Sequence, residues 1–353
     1  MKVKLTFAAL ALIAAGCSNQ EFTEAVQDSQ DNSARIVTLQ ASMPDITDET
    51  PATRASYESD GASVSGVVMK WAAGDKLRLC FKKGDSYYHK DAEIDATSIS
   101  SDGKTATFTW EMPTEIGDGD TFDFYAVYQK RNPRNPSKSK FEDGTPNYEF
   151  ATAEYMNITL NQTGTYGDGI INPALLCSAK NTTKTELGTL KLNFQHMGWI
   201  MALHLKNSTG AEVDLPKSMR FRYPSQSASS FIWNGSSIVI YSLKMDITTG
   251  TVTCASPYWE SKQCVYFNIN ESKSNPLYNQ KLAAGASIVF YRWVFSTPQI
   301  EEMLMYFVFK YNSYVYGTNH LPGRTVQNGK VYHTFLNWTS TGVTLTNRAG
   351  TAY

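Results

Sequence analysis

The chain has 353 residues, a net charge of −1 and five cysteines. That length accommodates two domains of ordinary size, and the balanced charge lacks the basic excess of a nucleic-acid binder, so no nucleic-acid partner is expected. Abundant Tyr, Phe, Thr and Val, punctuated by Gly, Asn and Ser, favour strands and turns over helices.

Lys2 and Lys4 precede the apolar run LTFAALALIAA, which is too short to span a bilayer permanently. The run ends in AAGC, with Ala14, Ala15 and Gly16 just before Cys17. Residues 1–16 therefore have the form of a bacterial lipoprotein signal with Cys17 as the lipidated first residue, although Ala14 stands where Leu is preferred. An ordinary secretory signal is the alternative, and both export the chain. Residues 17–34 are polar and rich in Gln, Asp and Ser, the composition of a flexible tether. No other run is apolar and long enough for a transmembrane helix.

RIVTLQASM (35–43) alternates: Val37, Leu39, Ala41 and Met43 face one way, Thr38, Gln40 and Ser42 the other, as in a half-buried strand. A small, acidic loop follows over 44–60 and carries Arg54 followed by Ala55. Alternation resumes at Leu77, Leu79 and Phe81. Asp102-Gly103 marks a tight turn, and DTFDFYAVYQ (120–129) is apolar nearly throughout, as a central strand would be. Residues 129–148 hold three prolines and a Lys/Arg cluster and read as a long exposed loop. LGTLKLNFQHMGWIMALHLKN (187–207) gives two strands meeting near Met197-Gly198, and turn-bounded runs continue to KVYHTFLNW. Only TPQIEEMLMYF (297–307) has a plausible helical start. The expected fold is all-β: two tandem β-sandwich domains, 35–188 and 189–353, after the signal and tether.

Chemistry is sparse, and no enzyme activity or cofactor is expected. SKSK (137–140) has Ser-x-x-Lys spacing but lies in the Pro-rich loop, where the required helix cannot form. His196 and His204 fall about 26 Å apart on an extended strand at about 3.3 Å per residue, too far to share a metal. EIGDGDTFD (115–123) lacks the full calcium-loop spacing and reads as a turn with solvated acids. Cys80, Cys177, Cys254 and Cys264 lack metal-ligand spacing; Cys254 and Cys264 flank a hairpin loop and either bridge it or stay free. The aromatics of SPYWES (256–261) and YNSYVYGTNH (311–320) could stack on sugar rings or pair across strands.

Several pieces, in order along nearly the whole chain, resemble the Bacteroidales fimbrillin-like lipoproteins, the subunits of type V pili. They are the lipoprotein signal, ATRAS (52–56), WAAGDKLRL (71–79), NPALLCSAK (172–180), the Leu-x-Phe-x-His strand carrying His196, and the closing strand NGKVYHTFLNW (328–338). NPALLCSAK departs from the acidic-plus-Tyr form of the family. The resemblance implies transthyretin-like β-sandwiches and an Arg-specific cut after Arg54, before Ala55, that releases Cys17, the tether and the first strand. The cut leaves a groove bordered by unpaired backbone, which another subunit's strand fills. On this view Val37, Leu39, Ala41 and Met43 are the groove-filling residues. Val343 and Leu345, in TSTGVTLTNRAGTAY, are either a donor tail or simply part of the last strand.

The resemblance further implies other fimbrial subunits as partners, the outer membrane through the precursor's lipid, and a host or bacterial surface ligand. The alternative is a non-polymerising surface lipoprotein, either a fimbrial anchor or a glycan-binding module.

Overall fold

Strands dominate because short alternating runs are cut by turn residues before a helix can nucleate. The computed structural model describes residues 35–48, 69–129, 140–150, 166–170, 174–224, 232–233, 242–255, 263–269, 277–310, 313–316 and 320–347. Ile36–Tyr353 make one compact unit.

In chain order the first strands are β1 (Ile36–Ser42), β2 (Thr47–Asp48), β3 (Lys76–Lys83), β4 (Ser86–Asp95), β5 (Thr105–Glu111), β6 (Phe122–Gln129), β7 (Lys140–Phe141), β8 (Asn147–Phe150), β9 (Tyr166–Ile170), β10 (Ala174–Thr182), β11 (Lys191–Asn193) and β12 (Gln195–His196). One helical turn, α1 (Lys184–Leu187), precedes β11 and starts in a capping box between Thr183 and Glu186. The remaining strands are β13 (Trp199–Asn207), β14 (Val213–Asp214), β15 (Ser218–Arg222), β16 (Ile232–Trp233), β17 (Ser242–Asp246), β18 (Thr251–Ala255), β19 (Gln263–Asn268), β20 (Lys281–Leu282), β21 (Ser287–Ser296), β22 (Gln299–Ile300), β23 (Leu304–Lys310), β24 (Ser313–Tyr316), β25 (Arg324–Thr325), β26 (Lys330–Thr339) and β27 (Gly342–Thr346).

The all-β expectation holds. The helical start expected at 297–307 does not: Gln299–Ile300 pairs with Arg324–Thr325, and Leu304 onward pairs with β15. There Met305 to Val308 are buried on both strand faces, and tertiary pairing overrides the local Glu-rich signal.

The first sheet runs β11-β1-β5-β4-β3-β6-β10-β12. Phe194 alone separates β11 from β12. The strand 191–196 therefore bonds β1 with one end and β10 with the other, closing the sheet around its own core. As its apolar run suggests, β6 is central, between β3 and β10. Trp71 anchors that core edge-on to Phe108, Tyr128 and Phe194, with centroids 5.1, 4.9 and 5.9 Å away. The turn after it is set by Gly74 at φ +85° and by the Asp75 carboxylate, which accepts the Ala72 N–H at 2.9 Å.

The second sheet runs β2-β26-β13-β21-β16-β19-β15-β23-β24, with β27 also on β26 and β9 on β21. Its core includes Trp199, Leu203, Phe221, Phe267, Phe290 and Leu336. A third apolar cluster joins the two sheets. Cys80, Tyr125 and Val127 come from the first sheet, and Ile200, Ala202, Tyr291 and Val331 from the second. Tyr148, Phe150 and Met245 come from a small sheet ordered β18-β17-β8-β7.

Candidate strand-release site

The first strand sits in the site by simple alternation. Val37, Leu39, Ala41 and Met43 are 4%, 2%, 0% and 5% exposed and all belong to the first core, whereas Thr38 and Gln40 point to solvent. All seven residues of β1 pair antiparallel with β5, from Ile36↔Glu111 to Ser42↔Thr105. Gln40, Ala41 and Ser42 also pair in parallel with Lys191, Leu192 and Asn193 of β11. Removing β1 therefore bares the whole edge of β5, the facing edge of β11, and an apolar trough between them.

Hydrophobic burial is what holds the strand. Val37, Leu39 and Met43 together contribute about 5–9 kcal/mol at about 1.5–3 kcal/mol per side chain. That is comparable with the whole stability of an ordinary domain, about 5–15 kcal/mol. A break in the covalent link downstream would thus not release the strand at once. It would turn an intramolecular contact into a dissociable one that a competing strand can replace.

Beyond β1 the chain crosses from the first sheet to the second. The Met43 N–H donates to the Lys104 carbonyl at 2.7 Å, and Lys104 Nζ lies 2.6 Å from Asp45. His196 Nε2 donates to the Asp45 carbonyl at 3.1 Å. The Thr47 N–H then donates to the Gly329 carbonyl at 3.1 Å, Lys330 Nζ donates to the Thr47 hydroxyl at 2.7 Å, and β2 pairs in parallel with Lys330 and Val331. Gly329, at φ +75°, passes so close to His196 that an added Cβ would lie 2.8 Å from the imidazole. The residues that seat this crossover, His196 and Gly329, lie far away in sequence; the Leu-x-Phe-x-His pattern pointed to the first but not to its partner.

Burial pushes the His196 imidazole below its usual pKa and keeps it neutral, with the backbone of Asp45 and Pro44 opposing the shift. Its folded pKa lies below its unfolded one, so the unfolded chain binds more protons in that window. The contribution to stability is present above the unfolded pKa of about 6.5 and is lost as pH falls below it. His89, half-buried and also shifted down by burial, acts in the same direction. We expect the melting temperature to drop between about pH 7 and pH 5, and to drop less in His196→Gln, which keeps a donor for Asp45 without a titrating ring. Equal drops in both chains would exclude His196 as the source.

Other expected site residues divide clearly. Cys17, Arg54, Ala55, the tether, residues 137–139 and SPYWES lie outside the described residues. In sequence, Arg54 lies between Asp48, at the end of β2, and buried Met69. Val343 and Leu345 are 0% and 5% exposed; they lie in β27, paired with β26, and belong to the chain's own second core. Three acids of 115–123 pair with lysines: Asp120 with Lys83, Asp118 with Lys184 at 2.8 Å, and Asp123 with Lys180 at 3.2 Å.

His204 Nε2 lies 2.9 Å from His333 Nδ1, a pair that sequence spacing could not disclose. No group of three or more His, Cys, Asp or Glu able to hold a metal occurs among the described residues. Cys80 and Cys177 are free and buried, and burial pushes their thiols up to about 12 and about 11. Neither is poised as a nucleophile.

No protein-family model and no curated protein matches the chain. Among solved structures, a candidate cell adhesion protein from Bacteroides uniformis is 13% identical with a TM-score of 0.45, covering 88% of this chain and 96% of that one. A second such protein, from Bacteroides fragilis, is 12% identical with a TM-score of 0.41, covering 88% and 97%. The tip fimbrial protein Mfa3 from Porphyromonas gingivalis is 10% identical with a TM-score of 0.29, also covering 88% and 97%. Likeness at this level assigns neither a family nor a role.

Proposed function

We propose that this chain is an exported structural or adhesive subunit of a bacterial surface fimbria, assembled by protease-triggered strand exchange. Its precursor is an outer-membrane lipoprotein held through Cys17. A cut between Arg54 and Ala55 frees the segment carrying β1, and a strand from another subunit takes the place of Val37, Leu39, Ala41 and Met43. The chain acts by pairing and not by catalysis, with no cofactor, through sheets that exchange segments across residue 188.

The observation that carries this reading is β1 itself. It is fully paired with β5 and buried on one face. Yet the link that would have to be cut to free it, residues 49–68, holds an arginine among small and acidic residues. The sequence resemblance supports the same reading.

N-terminal mass mapping of the mature protein from its native surface, with Arg54→Ala alongside, tests it. We expect the mature chain to begin at Ala55, and Arg54→Ala to remain uncut, lipidated and monomeric. A mature chain that keeps Cys17 and an intact 49–68 link would make β1 permanent structure. The protein would then be an anchor or a non-polymerising surface lipoprotein.

A further inference from the structure

The place that β1 fills is not equally yielding along its length. Gln40, Ala41 and Ser42 are paired on both sides, with β5 and with β11. Just beyond them the Met43 N–H donates to the Lys104 carbonyl at 2.7 Å. Ile36 to Leu39 pair with β5 alone among the described strands. A strand bonded along both edges has no side to which it can shift for a larger side chain, whereas one bonded along a single edge can swing outward. The residues follow that division. Ala41 stands abreast of Ala106 on β5 and Leu192 on β11, and the three are 0%, 1% and 1% exposed in the first core. The bulkier pair of Leu39 and Phe108 stands two residues along, where β1 is held on one edge.

We infer that the site selects its occupant by size at the place of Ala41: it takes a strand from a different kind of subunit, with alanine or glycine there and large apolar residues two and four positions earlier. This rests on the strand exchange proposed above and names what that exchange admits. The chain's own tail supplies the contrast. Val-Thr-Leu occurs at 37–39 in β1 and again at 343–345 in β27. Laid over β1 in that register, a second copy's Val343 and Leu345 would take the places of Val37 and Leu39, but Asn347 would fall at Ala41. Asparagine is larger, and it would carry an amide between Ala106 and Leu192, whose side chains offer no hydrogen bond. The tail is thus refused at one position while matching at two. It stays on β26, where Val343 and Leu345 are already buried.

The test does not use Arg54. A recognition site for a foreign protease is inserted between Glu58 and Ser59 of the full chain, which is then cut there and equilibrated in mild denaturant with synthetic peptides. Native mass spectrometry reads how much of each peptide displaces the retained segment. The peptide of residues 35–48 should enter, and its Ala41→Val form should enter about tenfold or more weakly. Val37→Ile, at the end held on one edge, should lose far less. The peptide of residues 341–349 should enter poorly, and its Asn347→Ala form should gain about tenfold. In the uncut chain, Ala41→Val should lower the melting temperature by more than Val37→Ile does.

Equal entry of the parent and Ala41→Val peptides overturns the inference and leaves strand exchange standing. So does a tail peptide that enters as well with Asn347 as with alanine, since a second copy would then serve as the occupant. If no peptide enters, the parent included, exchange itself fails and the selectivity falls with it. A chain that discriminates among the peptides yet is never cut at Arg54 in its native setting keeps the selective groove and loses only the natural trigger.

Discussion

Leu39→Ala should lower the unfolding free energy of the intact chain by about 3 kcal/mol. Leu39 is 2% exposed and lies in the first core, opposite Phe108 on β5. Truncation removes its transfer energy and leaves a cavity that the closed sheet cannot collapse. After a cut at Arg54 the same substitution should weaken the hold on the released segment about a hundredfold, since each 1.4 kcal/mol is about tenfold. Native mass spectrometry of the nicked chain reads the retained segment directly, and denaturant melts read the intact chain. Thr38→Ala, on the solvent face of the same strand, should stay within about 0.5 kcal/mol of the parent. Equal effects at the two positions would mean that β1 is not held by its buried face, and the groove-filling role would fall with it.

Gly198→Ala is the second large effect. A Cβ there would meet Trp293 Nε1 and the Val294 carbonyl, both at 2.6 Å, and Gly198 also accepts the Gly329 N–H at 2.8 Å. One obstacle is backbone in β21, so no rotamer change relieves it. The change should cost about 3 kcal/mol, at the upper end of ordinary overpacking. It should also loosen the crossover of residues 43–48, because Gly329 anchors Thr47. Thermal melts and hydrogen exchange at Thr47 test both parts. Gly188→Ala, where an added Cβ finds only ordinary contacts at 3.5 Å and beyond, is the control and should be near neutral.

The first strand was legible in the sequence because one buried face and one wet face impose a period of two, which Val37, Leu39, Ala41 and Met43 display. The bend near Gly198 was also legible, since two strand patterns meet at a residue with no side chain. The crossover was not. Two-residue β2 carries no period, and its partners at Gly329 and Lys330 are brought near only by the fold. The helical start at 297–307 misled because Glu301 and Glu302 are helix formers, while the pairing of Leu304–Lys310 with β15 decided the outcome. The third apolar cluster left one trace, the run of β6 that is apolar on both faces, but the matching surface on the second sheet could not be inferred from it. The Val343–Leu345 alternation fits a donor tail and a last strand equally.

The third cluster also governs how the molecule bears force. Tyr125 and Val127 on one side, and Ile200, Tyr291 and Val331 on the other, are shared interior and not two surfaces in touch. Two bodies joined by a linker would hinge, and each would yield separately when pulled. Here tension entering through β26 and β27 crosses to the first sheet through packed side chains and through the Phe150 strand, so the chain should stretch and fail as a single element. If the chain assembles by strand exchange as proposed, the compliant joint of the filament would be the strand passed between neighbours, and the rod's stiffness would follow how well that strand fills the trough that Leu39 leaves.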